Sequence, residues 1–386
     1  MLPPAPVIPM DHGRVRLDTK FVAGMAYICA NWPGRVTCVL RQGAGAIPFG
    51  AEYDPADLPF DLTVLPRNAA LPPMLLDECD IVEASADMHT DLDLGPRSTQ
   101  SRARHVMVIE NSLATRLQIL RLDRQMSMPR KVKSAVWLLL QERRRRRALR
   151  QADAVQTNGY PAYDAYGGLN DNTLLYLDNR MREGMLSNRD EIAQRAASLR
   201  GGGPLRLINS GRLDPIKGAQ DLVPVARALA GLGVNFTLDI YGTGNLEAEL
   251  RSRIESCGLA DKVRLHAPVD FETELVPISR RDADLFLSCH RQSDPSCTYI
   301  EAMGCGLPIA GYDNAMLARL VTEAQAGWTV PVGDIAALAQ QIALVAANPA
   351  TVEAASYSAL AFARQHDFAA EFSSRRNQLL DLLKAA

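Results

Sequence analysis

The segment "SGRLDPIKG", residues 210–218, places two cations on either side of a turn. Arg212 and Lys217 flank Asp214 and Pro215, directly after an apolar run that predicts a β-strand. At the carboxyl end of such a strand, an arginine offers phosphate a forked contact, a lysine offers a point charge, and the following helix offers unpaired N–H groups. The segment therefore predicts a phosphate site, with two solvated loop cations as the alternative.

A glycine pair follows the next predicted strand in "DIYGTGNLEAEL", residues 239–250. Gly242 and Gly244 would let the backbone approach a ligand closely. The dinucleotide fingerprint G-x-G-x-x-G needs a third glycine where this sequence has Glu247. A ligand-binding loop and a plain tight turn are therefore both open.

The segment "SDPSCTYIEAMGCGLPIAG", residues 293–311, combines hydroxyl groups with a carboxylate at the start of a predicted helix. Hydroxyls and backbone N–H groups there would face an anion, and Glu301 would accept both hydroxyls of a ribose. The alternative is a capping box, in which Glu301 and Thr298 bond only to the helix start. Together, the cationic loop, the glycine loop and this segment predict a pocket for a phosphorylated nucleoside.

The elements that carry these segments alternate short apolar runs with amphipathic stretches, which predicts an α/β fold. The amphipathic stretch 219–233 predicts a helix that ends at Gly231, and another helix is expected from about Glu247. A doubly wound parallel sheet is therefore expected in the C-terminal half. Its predicted strands are residues 205–211, 236–242, 263–268, 284–289 and 307–311.

The N-terminal half repeats this pattern more loosely and predicts a second parallel sheet. A helix carrying Leu17, Phe21 and Met25 is expected after the first strand. The glycines of "SLRGGGP", residues 198–204, are typical of a joint, so the boundary between the domains is expected between about 180 and 204. The predicted strands are residues 7–10, 36–42, 62–67, 79–85 and 105–110.

The composition is that of a soluble globular protein. The 386 residues are 47% hydrophobic and 22% charged, with a net charge of -2, and the seven cysteines form no C-x-x-C pair. The first residues lack the features of a signal peptide, and the apolar run Ala135–Leu140 is too short to span a bilayer. A cytoplasmic location, with peripheral contact to the inner face of the membrane, is expected.

In this order and at these separations, "SGRLDPIKG", "DIYGTG", "VRLHAPV" and "DPSCTYIEAMGCGLPIAG" resemble the donor domain of a glycosyltransferase family. The family is that of the retaining, nucleotide-sugar-dependent glycosyltransferases of the GT-B fold, called group 1 or family four. The resemblance covers residues 204–346, and "LLYLDNRM", residues 174–181, is similar to the family's interdomain segment. It implies two doubly wound Rossmann-like domains facing each other across a cleft. Residues 1–180 would bind the acceptor, residues 181–367 the donor, and residues 368–386 would form a helix that crosses back.

The resemblance also implies roles for individual residues. Arg212 and Lys217 would hold the diphosphate of the donor and stabilise it as it leaves, in a reaction with an oxocarbenium-like transition state that needs no metal and no cofactor. Glu301 would hold the ribose. The other donor-binding residues implied are Gly211, Tyr241, Gly242, Thr243, Gly244, Pro295, Ser296, Cys297 and Thr298.

One position departs from the family's pattern of two glutamates eight residues apart. The residue eight positions before Glu301 is Ser293, and Asp294 is its neighbour. We expect Asp294 to take over the contact to the sugar hydroxyls. The alternatives are a different sugar preference and a loss of activity.

The acceptor half offers fewer candidates. His12, Gly13 and Arg14 lie in the loop after the first strand and are predicted to contact the acceptor, with ordinary loop residues as the alternative. Glu110 follows the strand where the family often has a histidine. It could accept the proton of the acceptor hydroxyl, or it could be a strand-end carboxylate without a catalytic role.

A basic cluster, Arg143–Arg147, lies in the segment 129–154 beside an apolar patch that contains Trp137. Such a helix would lie on an anionic membrane surface. The alternative is a solvated cationic helix that packs on the N-terminal sheet through Val136, Leu139 and Leu140. Nucleic acid is not an expected partner, because the net charge is slightly negative and no aromatic platform accompanies the cluster.

The sequence therefore predicts a retaining glycosyltransferase that moves a sugar from a nucleoside-diphosphate donor to a glycan or a lipid-linked acceptor in the synthesis of cell-surface polysaccharide or glycoconjugate. The alternative from another class is a catalytically silent relative that binds nucleotide or glycan. A nicotinamide-dependent dehydrogenase is a third hypothesis, weakened by the incomplete glycine fingerprint.

Overall fold

The computed structural model describes residues 1–45, 47, 50–67, 69, 71–72, 74–77, 79–94, 103–123 and 125–384. These residues form two compact units. The first comprises residues 1–113, 135–176 and the segment from Ala370, and the second comprises residues 114–134 and 177–369. In the described part of the chain no single helix is long and apolar enough to cross a bilayer, although the bent pair Ile335–Ala346 and Pro349–Lys384 passes by length and composition.

The first unit contains two sheets. The five-stranded sheet has the order β4-β2-β1-β3-β5, in which β2 pairs antiparallel with β1 and β4 while β1, β3 and β5 are parallel. The other sheet, β6-β7-β8-β9, is parallel throughout. The strands are β1 (Pro6–Pro9), β2 (Val15–Asp18), β3 (Thr37–Gln42), β4 (Gly50–Tyr53), β5 (Asp61–Leu65), β6 (Ile81–Ser85), β7 (Arg104–Ile109), β8 (Ala154–Asn158) and β9 (Thr173–Tyr176).

Two expectations for the first unit are wrong. The predicted parallel sheet is instead two sheets, one of which contains the antiparallel strands β2 and β4. Leu17 is not on the first helix, because it lies in β2, where it pairs with Ala51 and is fully buried. The helix begins only at Thr19, where Asp18 accepts a hydrogen bond from the backbone N–H of Phe21. Leu17, Phe21 and Met25 are four residues apart, as on a helix face, but only Phe21 and Met25 lie on the helix.

The second unit is built on a six-stranded parallel sheet. The strands are β10 (Leu205–Ser210), β11 (Phe236–Tyr241), β12 (Val263–His266), β13 (Leu285–Ser288), β14 (Ile309–Tyr312) and β15 (Gly327–Val330). Their order, β12-β11-β10-β13-β14-β15, corresponds to 3-2-1-4-5-6 and confirms the doubly wound topology. Because the strand order reverses between β10 and β13, the loops after these two strands open at the switch point, where ligands of such sheets bind.

Helices are present in both units. They are α1 (Thr19–Ala30), α2 (Met74–Asp77), α3 (Leu113–Leu122), α4 (Met128–Gln151), α5 (Tyr160–Tyr166), α6 (Arg189–Arg200), α7 (Ala219–Gly231), α8 (Glu247–Ser256), α9 (Val276–Asp282), α10 (Thr298–Gly304), α11 (Ala315–Ala324), α12 (Ile335–Ala346), α13 (Pro349–Gln365) and α14 (Phe368–Lys384). The predicted end of α7 at Gly231 and the predicted start of α8 at Glu247 are confirmed.

The residues of α14 from Ala370 onward belong to the first unit. Leu379 packs against Val106 of β7 and Ala154 of β8, and all three side chains are buried. Arg375 adds a polar contact, since its Nε donates to Oε1 of Gln156 over 2.7 Å. Apolar burial against the parallel sheet therefore holds this helix in place.

Candidate functional site

The loops that follow β10 and β13 meet in an ion pair at the switch point of the second unit. Nζ of Lys217 lies 2.5 Å from Oδ2 of Asp294 and 3.5 Å from the hydroxyl oxygen of Ser296. The side chains of Lys217 and Asp294 are only 14% and 19% exposed. The structure thus brings together three residues that the sequence placed in two separate motifs.

The charge state of Asp294 follows from this pairing. Burial would raise the pKa of its carboxyl, but the ammonium of Lys217 outweighs burial, and the pKa lies below its ordinary value. Asp294 is therefore ionised at neutral pH. Its second oxygen, Oδ1, is buried and has no hydrogen-bond partner in the part of the chain that the structure describes. A carboxylate oxygen in that condition can accept a hydrogen bond from a ligand hydroxyl.

The close contact of these loops requires a glycine. Gly218 adopts the left-handed conformation with φ of 68°, and an added Cβ would lie 1.6 Å from the carbonyl oxygen of Cys289. A larger residue would push the loop after β10 away from the loop after β13. Gly218 therefore sets the distance across which Lys217 reaches Asp294.

Arg212 lies in the same loop but in a different environment. Its side chain is 49% exposed and lies 3.3 Å from a carboxylate oxygen of Asp214. An ion pair this exposed contributes little to stability, so the guanidinium can exchange its partner for a ligand at low cost.

Glu301 is held by a residue that the motif analysis did not single out. Nε and Nη2 of Arg180 donate to the two carboxylate oxygens of Glu301 over 2.7 and 3.0 Å. The guanidinium carbon of Arg180 lies 3.7 Å from the ring centroid of Phe271. Glu301 is buried, with its side chain 6% exposed, whereas that of Arg180 is 35% exposed.

This geometry excludes the capping-box alternative. Cys297 is the N-cap of α10, and among the described residues no side-chain hydrogen bond caps this helix. The carboxylate of Glu301 bonds to Arg180 and is not folded back on the helix start. The pair also affects the cation: burial would lower the pKa of Arg180, but the charge and hydrogen bonds of Glu301 raise it above its ordinary value.

The hydroxyls that precede Glu301 are arranged as a short chain. Oγ of Ser296 and Oγ1 of Thr298 are 2.8 Å apart, and Ser296 also faces Lys217. Pro295 is buried, and Cys297 is half-buried beside them. This group of side chains can therefore present hydroxyls and an ammonium to one anion.

The glycine loop after β11 packs against the loop after β10. Gly242 has a φ of 156°, and an added Cβ would lie 2.0 Å from the carbonyl oxygen of Gly211. Backbone hydrogen bonds of 3.0 Å join Gly211 to Tyr241 and Leu213 to Thr243. Packing between the two loops thus explains the glycine at position 242.

An aromatic pair lies at the carboxyl ends of the neighbouring strands β11 and β12. The rings of Tyr241 and His266 are stacked, with centroids 4.4 Å apart. Nε2 of His266 lies 2.6 Å from Oδ1 of Asp239, which fixes the orientation of the imidazole. Flat half-buried rings of this kind offer a surface on which a nucleobase can stack.

Ser293 has a structural role at the position where the family has a glutamate. It is 3% exposed, and its hydroxyl accepts a 3.0 Å hydrogen bond from the backbone N–H of Ala315, the first residue of α11. Its own N–H donates to Oε1 of Gln118 over 3.0 Å. Ser293 therefore ties the loop after β13 to α11 and to the segment that contains Gln118.

A buried histidine lies behind the ion pair. His290 is 3% exposed, and its Nδ1 lies 3.1 Å from the hydroxyl of Tyr299. Burial, reinforced by the charge of Lys217, lowers the pKa of His290 to about 3, so the ring is neutral at physiological pH. The positive charge at the switch point therefore comes from Lys217 and Arg212.

In the first unit, His12, Gly13 and Arg14 occupy the tip of the hairpin between β1 and β2. All three are exposed, and His12 adopts a left-handed conformation with φ of 58°. Nη2 of Arg14 donates to the carbonyl oxygen of Glu52 over 3.1 Å. Backbone strain at an exposed histidine is a pattern found at functional sites.

Glu110 follows β7 and lies close to an aspartate that sequence reasoning missed. The backbone N–H groups of Glu110 and Asn111 donate to the two carboxylate oxygens of Asp87, over 2.8 and 3.2 Å. Asp87 follows β6, which is the parallel neighbour of β7. Asp87 and Glu110 therefore lie at the same edge of the sheet. The position of Glu110 at a strand end did not by itself indicate a second carboxylate there.

The structure contradicts one of the two sequence-based hypotheses for α4 and does not test the membrane hypothesis. Arg145 is 1% exposed and bonds to Glu142 over 3.0 Å, while Arg144 pairs with Asp93, so the cluster Arg143–Arg147 does not present five cations to solvent. The alternative packing through three apolar side chains is wrong, because these side chains are 52–58% exposed. They are Val136, Leu139 and Leu140.

A family of known proteins is similar in sequence to most of the second unit. Residues 190–361 match the sequence model of the family described as glycosyl transferases group 1. This segment is similar to that family. It includes the loops after β10, β11 and β13 and the helix that carries Glu301.

Curated relatives match over a similar length. A protein provisionally named as a colanic acid biosynthesis glycosyltransferase, from Escherichia coli (strain K12), is 33% identical over 152 residues, which are 36% of this chain and 36% of the relative. An amylovoran biosynthesis glycosyltransferase from Erwinia amylovora is 32% identical over 149 residues, which are 35% of this chain and 34% of the relative. The matches thus span about a third of the length of these relatives.

Solved structures extend the likeness to the whole fold. The structure of Anabaena HepE with UDP-glucose covers 94% of this chain and 96% of its own, with a TM-score of 0.63 at 16% identity. Sucrose-phosphate synthase from Thermosynechococcus elongatus covers 95% of this chain and 93% of its own, with a TM-score of 0.66 at 18% identity. The fold is therefore GT-B, as the resemblance implied.

Proposed function

We propose that the protein is a retaining glycosyltransferase that moves a sugar from a nucleoside-diphosphate donor to a hydroxyl of a glycan or of a lipid-linked acceptor. The second unit would bind the donor and the first unit the acceptor. The product would be a cell-surface polysaccharide or glycoconjugate, and the relatives from Escherichia coli and Erwinia amylovora are named for the biosynthesis of colanic acid and of amylovoran.

The observation that carries the proposal is the meeting of Lys217 with Asp294 at the switch point of the sheet. A cation for phosphate and a carboxylate for hydroxyls are the two groups that a diphosphate-linked sugar needs at adjacent positions. They come from the two loops that the strand order opens to a ligand. Oδ1 of Asp294 is not part of the ion pair, so its lone pairs can take part in recognition of the sugar.

Lys217 and Arg212 would stabilise the diphosphate as its negative charge develops. An ammonium has three donors, and Lys217 directs two of them to Asp294 and Ser296, which leaves one for a phosphate oxygen. Arg212 would turn from Asp214 to the same group. Because these cations act more strongly on the leaving diphosphate than on the bound donor, they would lower the barrier to cleavage of the glycosidic bond.

The two carboxylates would then divide the remaining recognition. Asp294 would accept a sugar hydroxyl through Oδ1, and Glu301 would accept the ribose hydroxyls while Arg180 fixes its orientation. Each carboxylate oxygen has two lone-pair sites, so the bonds to Arg180 leave capacity for the ribose. Arg180 would thus be a positioning residue that acts through Glu301.

The base would lie near the stacked rings of Tyr241 and His266. Uracil is the first base to test, because the structures of Anabaena HepE contain UDP and UDP-glucose. The acceptor would lie against the first unit, where His12, Gly13 and Arg14 are exposed and where Glu110 would accept the proton of the attacking hydroxyl.

The partner surface of the first unit would be an anionic membrane. Five exposed residues form one stripe along α4, because they are spaced by four, three, four and three residues. They are Val136, Leu140, Arg143, Arg147 and Arg150. The stripe is apolar at its first two positions and cationic at the next three. Apolar side chains that enter the lipid beside cations that meet phosphate headgroups are typical of a helix at an anionic bilayer.

A second candidate function is supported by Ser293. Its hydroxyl and its N–H are both used in holding structure, so this position cannot supply the sugar contact that a glutamate would give. If Asp294 does not replace that contact, the protein is a silent relative that binds nucleotide without turning it over. Hydrolysis of the donor in the absence of acceptor distinguishes the two functions.

The proposal is tested by calorimetric titration with UDP, GDP, ADP and NAD, followed by hydrolysis and transfer assays with sugar donors of the base that binds. We expect one diphosphate to bind, and Glu301→Ala to weaken its binding by at least about tenfold, as expected for the loss of a charge-assisted hydrogen bond. Glu323→Ala, which removes an exposed glutamate paired with Arg319, is the matched control. Binding of NAD alone, or equal binding by wild type and Glu301→Ala, would contradict the proposal.

The stereochemical part of the proposal has its own readout. Proton NMR of the first product reports whether the anomeric configuration of the donor sugar is kept. Retention is expected, and inversion would overturn this part while leaving the donor pocket intact.

A further inference from the structure

A cavity of about 520 Å³ lies in the second unit among α6, α9 and the first residues of β10. Four of its eight lining residues are arginines, and one is acidic. The lining residues are Glu191, Gln194, Arg195, Ser198, Arg206, Pro277, Arg280 and Arg281. This volume is within the range of small-molecule sites.

Three of the four arginines are neutralised by carboxylates. Arg206 pairs with Asp284 over 2.7 Å. Arg280 pairs with Glu191 over 2.6 Å. Arg281 pairs with its neighbour Asp282 over 2.7 Å, but this pair is exposed, with the side chain of Arg281 73% accessible. An exposed pair is easily exchanged for another anion.

The fourth arginine, Arg195, is bound by backbone carbonyl oxygens. Arg195 is 5% exposed, and its guanidinium donates to the carbonyl oxygens of Ser279, Cys305 and Gly306 over 3.2, 3.1 and 2.7 Å. No carboxylate lies within ion-pair distance of it in the ranges that the structure describes. Burial lowers the pKa of Arg195, which means that the folded protein holds its charge at a cost.

We propose that this cavity binds a phosphate-bearing small molecule. Three of the lining arginines are paired with carboxylates, whereas Arg195 is bound by carbonyl oxygens, so a bound anion would add a formal negative charge to a site where the arginines outnumber their carboxylate partners among the described residues. A guanidinium presents its donors in a fork that matches two oxygens of a phosphate. Arg281 is free to turn from Asp282 towards such a ligand, and its exposure makes that movement inexpensive.

This site is separate from the proposed donor pocket. Arg206 is near the amino end of β10, and Asp284 immediately precedes β13, whereas Lys217 and Asp294 follow the carboxyl ends of these strands. A strand of six residues is about 20 Å long, so one bound phosphate cannot occupy both sites. The inference therefore goes beyond the proposed function and does not depend on it.

A physical connection nevertheless exists between the cavity and the helix that carries Glu301. The carbonyls of Cys305 and Gly306, which Arg195 binds, directly follow the last residue of α10. A cation at that end stabilises the helix through its dipole. An anion that binds near Arg195 thus contacts the same residue that fixes the end of α10.

The test is calorimetric titration with inorganic phosphate and with pyrophosphate. Two forms of the whole chain are titrated: wild type, and the Lys217→Met variant, in which the donor loops have lost their buried cation. Arg281→Ala is then introduced into both, because its exposed side chain can be removed without disturbing the fold. Arg319→Ala, which removes an equally simple surface arginine paired with Glu323, is the matched control.

We expect Lys217→Met to retain one phosphate or pyrophosphate site, Arg281→Ala to weaken that site at least tenfold, and Arg319→Ala to leave it unchanged. Arg281→Lys should give an intermediate affinity, because it keeps the charge without the fork. The proposal is overturned if Lys217→Met binds neither anion, which would place all binding at the donor loops. It is also overturned if Arg281→Ala binds as tightly as its parent.

Discussion

The carboxylate of Glu301 accepts hydrogen bonds from Nε and Nη2 of Arg180, at 2.7 and 3.0 Å, while the guanidinium carbon lies 3.7 Å from the ring centroid of Phe271. A carboxylate fixed at both oxygens has one orientation in the absence of ligand. It is therefore prepared to accept a pair of hydroxyls without the entropic cost of ordering a flexible side chain.

Removing Arg180 should weaken nucleotide binding although this residue need not touch the nucleotide. We expect Arg180→Ala to reduce the affinity for the diphosphate by about tenfold, because Glu301 loses its orientation, and Arg180→Lys to recover part of the loss. The measurement is calorimetric titration of each variant with the nucleotide that wild type binds. Arg182→Ala removes a neighbouring arginine with a half-exposed side chain and serves as control.

A double-mutant cycle separates positioning from a direct contact. If Arg180 acts through Glu301, the double variant Arg180→Ala/Glu301→Ala should bind no more weakly than Glu301→Ala alone. Additive losses would instead mean that Arg180 contacts the nucleotide itself.

Asp294 and Lys217 should have different effects on turnover and binding. Asp294→Asn is expected to lower the rate of donor hydrolysis or transfer at least about tenfold, with the Kd for the free diphosphate changed less than about threefold, because the contact is made to the sugar. Lys217→Met should lower the rate and also weaken the binding of the diphosphate, since it removes a positive charge from the phosphate site. Kinetic assays with saturating donor, together with titration of the diphosphate, give the two quantities.

The control for this pair is Asp261→Asn, which changes an exposed aspartate in the same unit. Unchanged turnover in Asp294→Asn would remove Asp294 from the sugar contact. A nucleotide affinity lost together with turnover would mean that Asp294 acts by holding Lys217 at the phosphate site.

His290 should make the stability of the protein depend on pH. The pKa of this buried ring falls from 6.5 to about 3, so below pH 6.5 the unfolded chain binds a proton that the folded chain does not bind. Acid therefore favours unfolding, and the contribution of His290 to stability is lost as the pH falls from 6.5 towards 3. The slope reaches at most about 1.4 kcal/mol per pH unit.

The measurement is the free energy of unfolding in urea at pH 7, 6 and 5. His290→Gln should show a shallower fall than wild type over this interval, whatever its stability at pH 7. His105 has a pKa lowered by burial as well, and it contributes equally to both proteins. Parallel curves for wild type and His290→Gln would show that the ring of His290 already carries its proton in the fold.

The sequence predicted the second unit closely because its information is local. The strands there are short and mostly apolar, the loops after β10, β11, β12, β13 and β15 carry glycine or proline, and the loops of Lys217 and Asp294 follow directly from strand ends. The register and the order of the strands then bring the loops together. The sequence predicted that the two segments line one pocket, but not the ion pair itself, because Lys217 and Asp294 are 77 residues apart and no sequence pattern indicates a contact between their side chains.

Other features depend on contacts that no periodicity reveals. Arg180 lies 121 residues from Glu301, and the only local signal was its place in a segment similar to the interdomain region of the family. Leu17 fell into a strand because Asp18 caps the helix one residue later. The buried Arg145 has the same sequence signature as its neighbours, and what distinguishes it is the hydrogen bond from its Nε to the carbonyl oxygen of Ala86, 59 residues away in the chain.

The exposed stripe of α4 should bind anionic bilayers. We expect the protein to sediment with vesicles of phosphatidylglycerol and phosphatidylcholine in equal amounts, and to be released by high salt, which screens the arginines. Arg143→Glu/Arg147→Glu should reduce binding by roughly tenfold or more, and Val136→Asp/Leu140→Asp should abolish it. Leu344→Asp changes an exposed leucine of α12 and is the control. No sedimentation of wild type at low salt would contradict the membrane proposal.

Ser293 offers a direct test of whether this protein can be returned to the two-glutamate pattern. The serine is 3% exposed, and its hydroxyl satisfies the N–H of Ala315 at the start of α11. Ser293→Ala should cost about 1 kcal/mol of unfolding free energy and leave turnover nearly unchanged, because only a helix-end hydrogen bond is lost. Ser293→Glu should cost more, since it puts a carboxylate into a buried site beside the ionised Asp294. We therefore expect Ser293→Glu to lower both stability and turnover, measured by urea unfolding and by donor hydrolysis. A gain in turnover would show instead that the buried loop after β13 rearranges to admit the glutamate, and that Asp294 only partly replaces it.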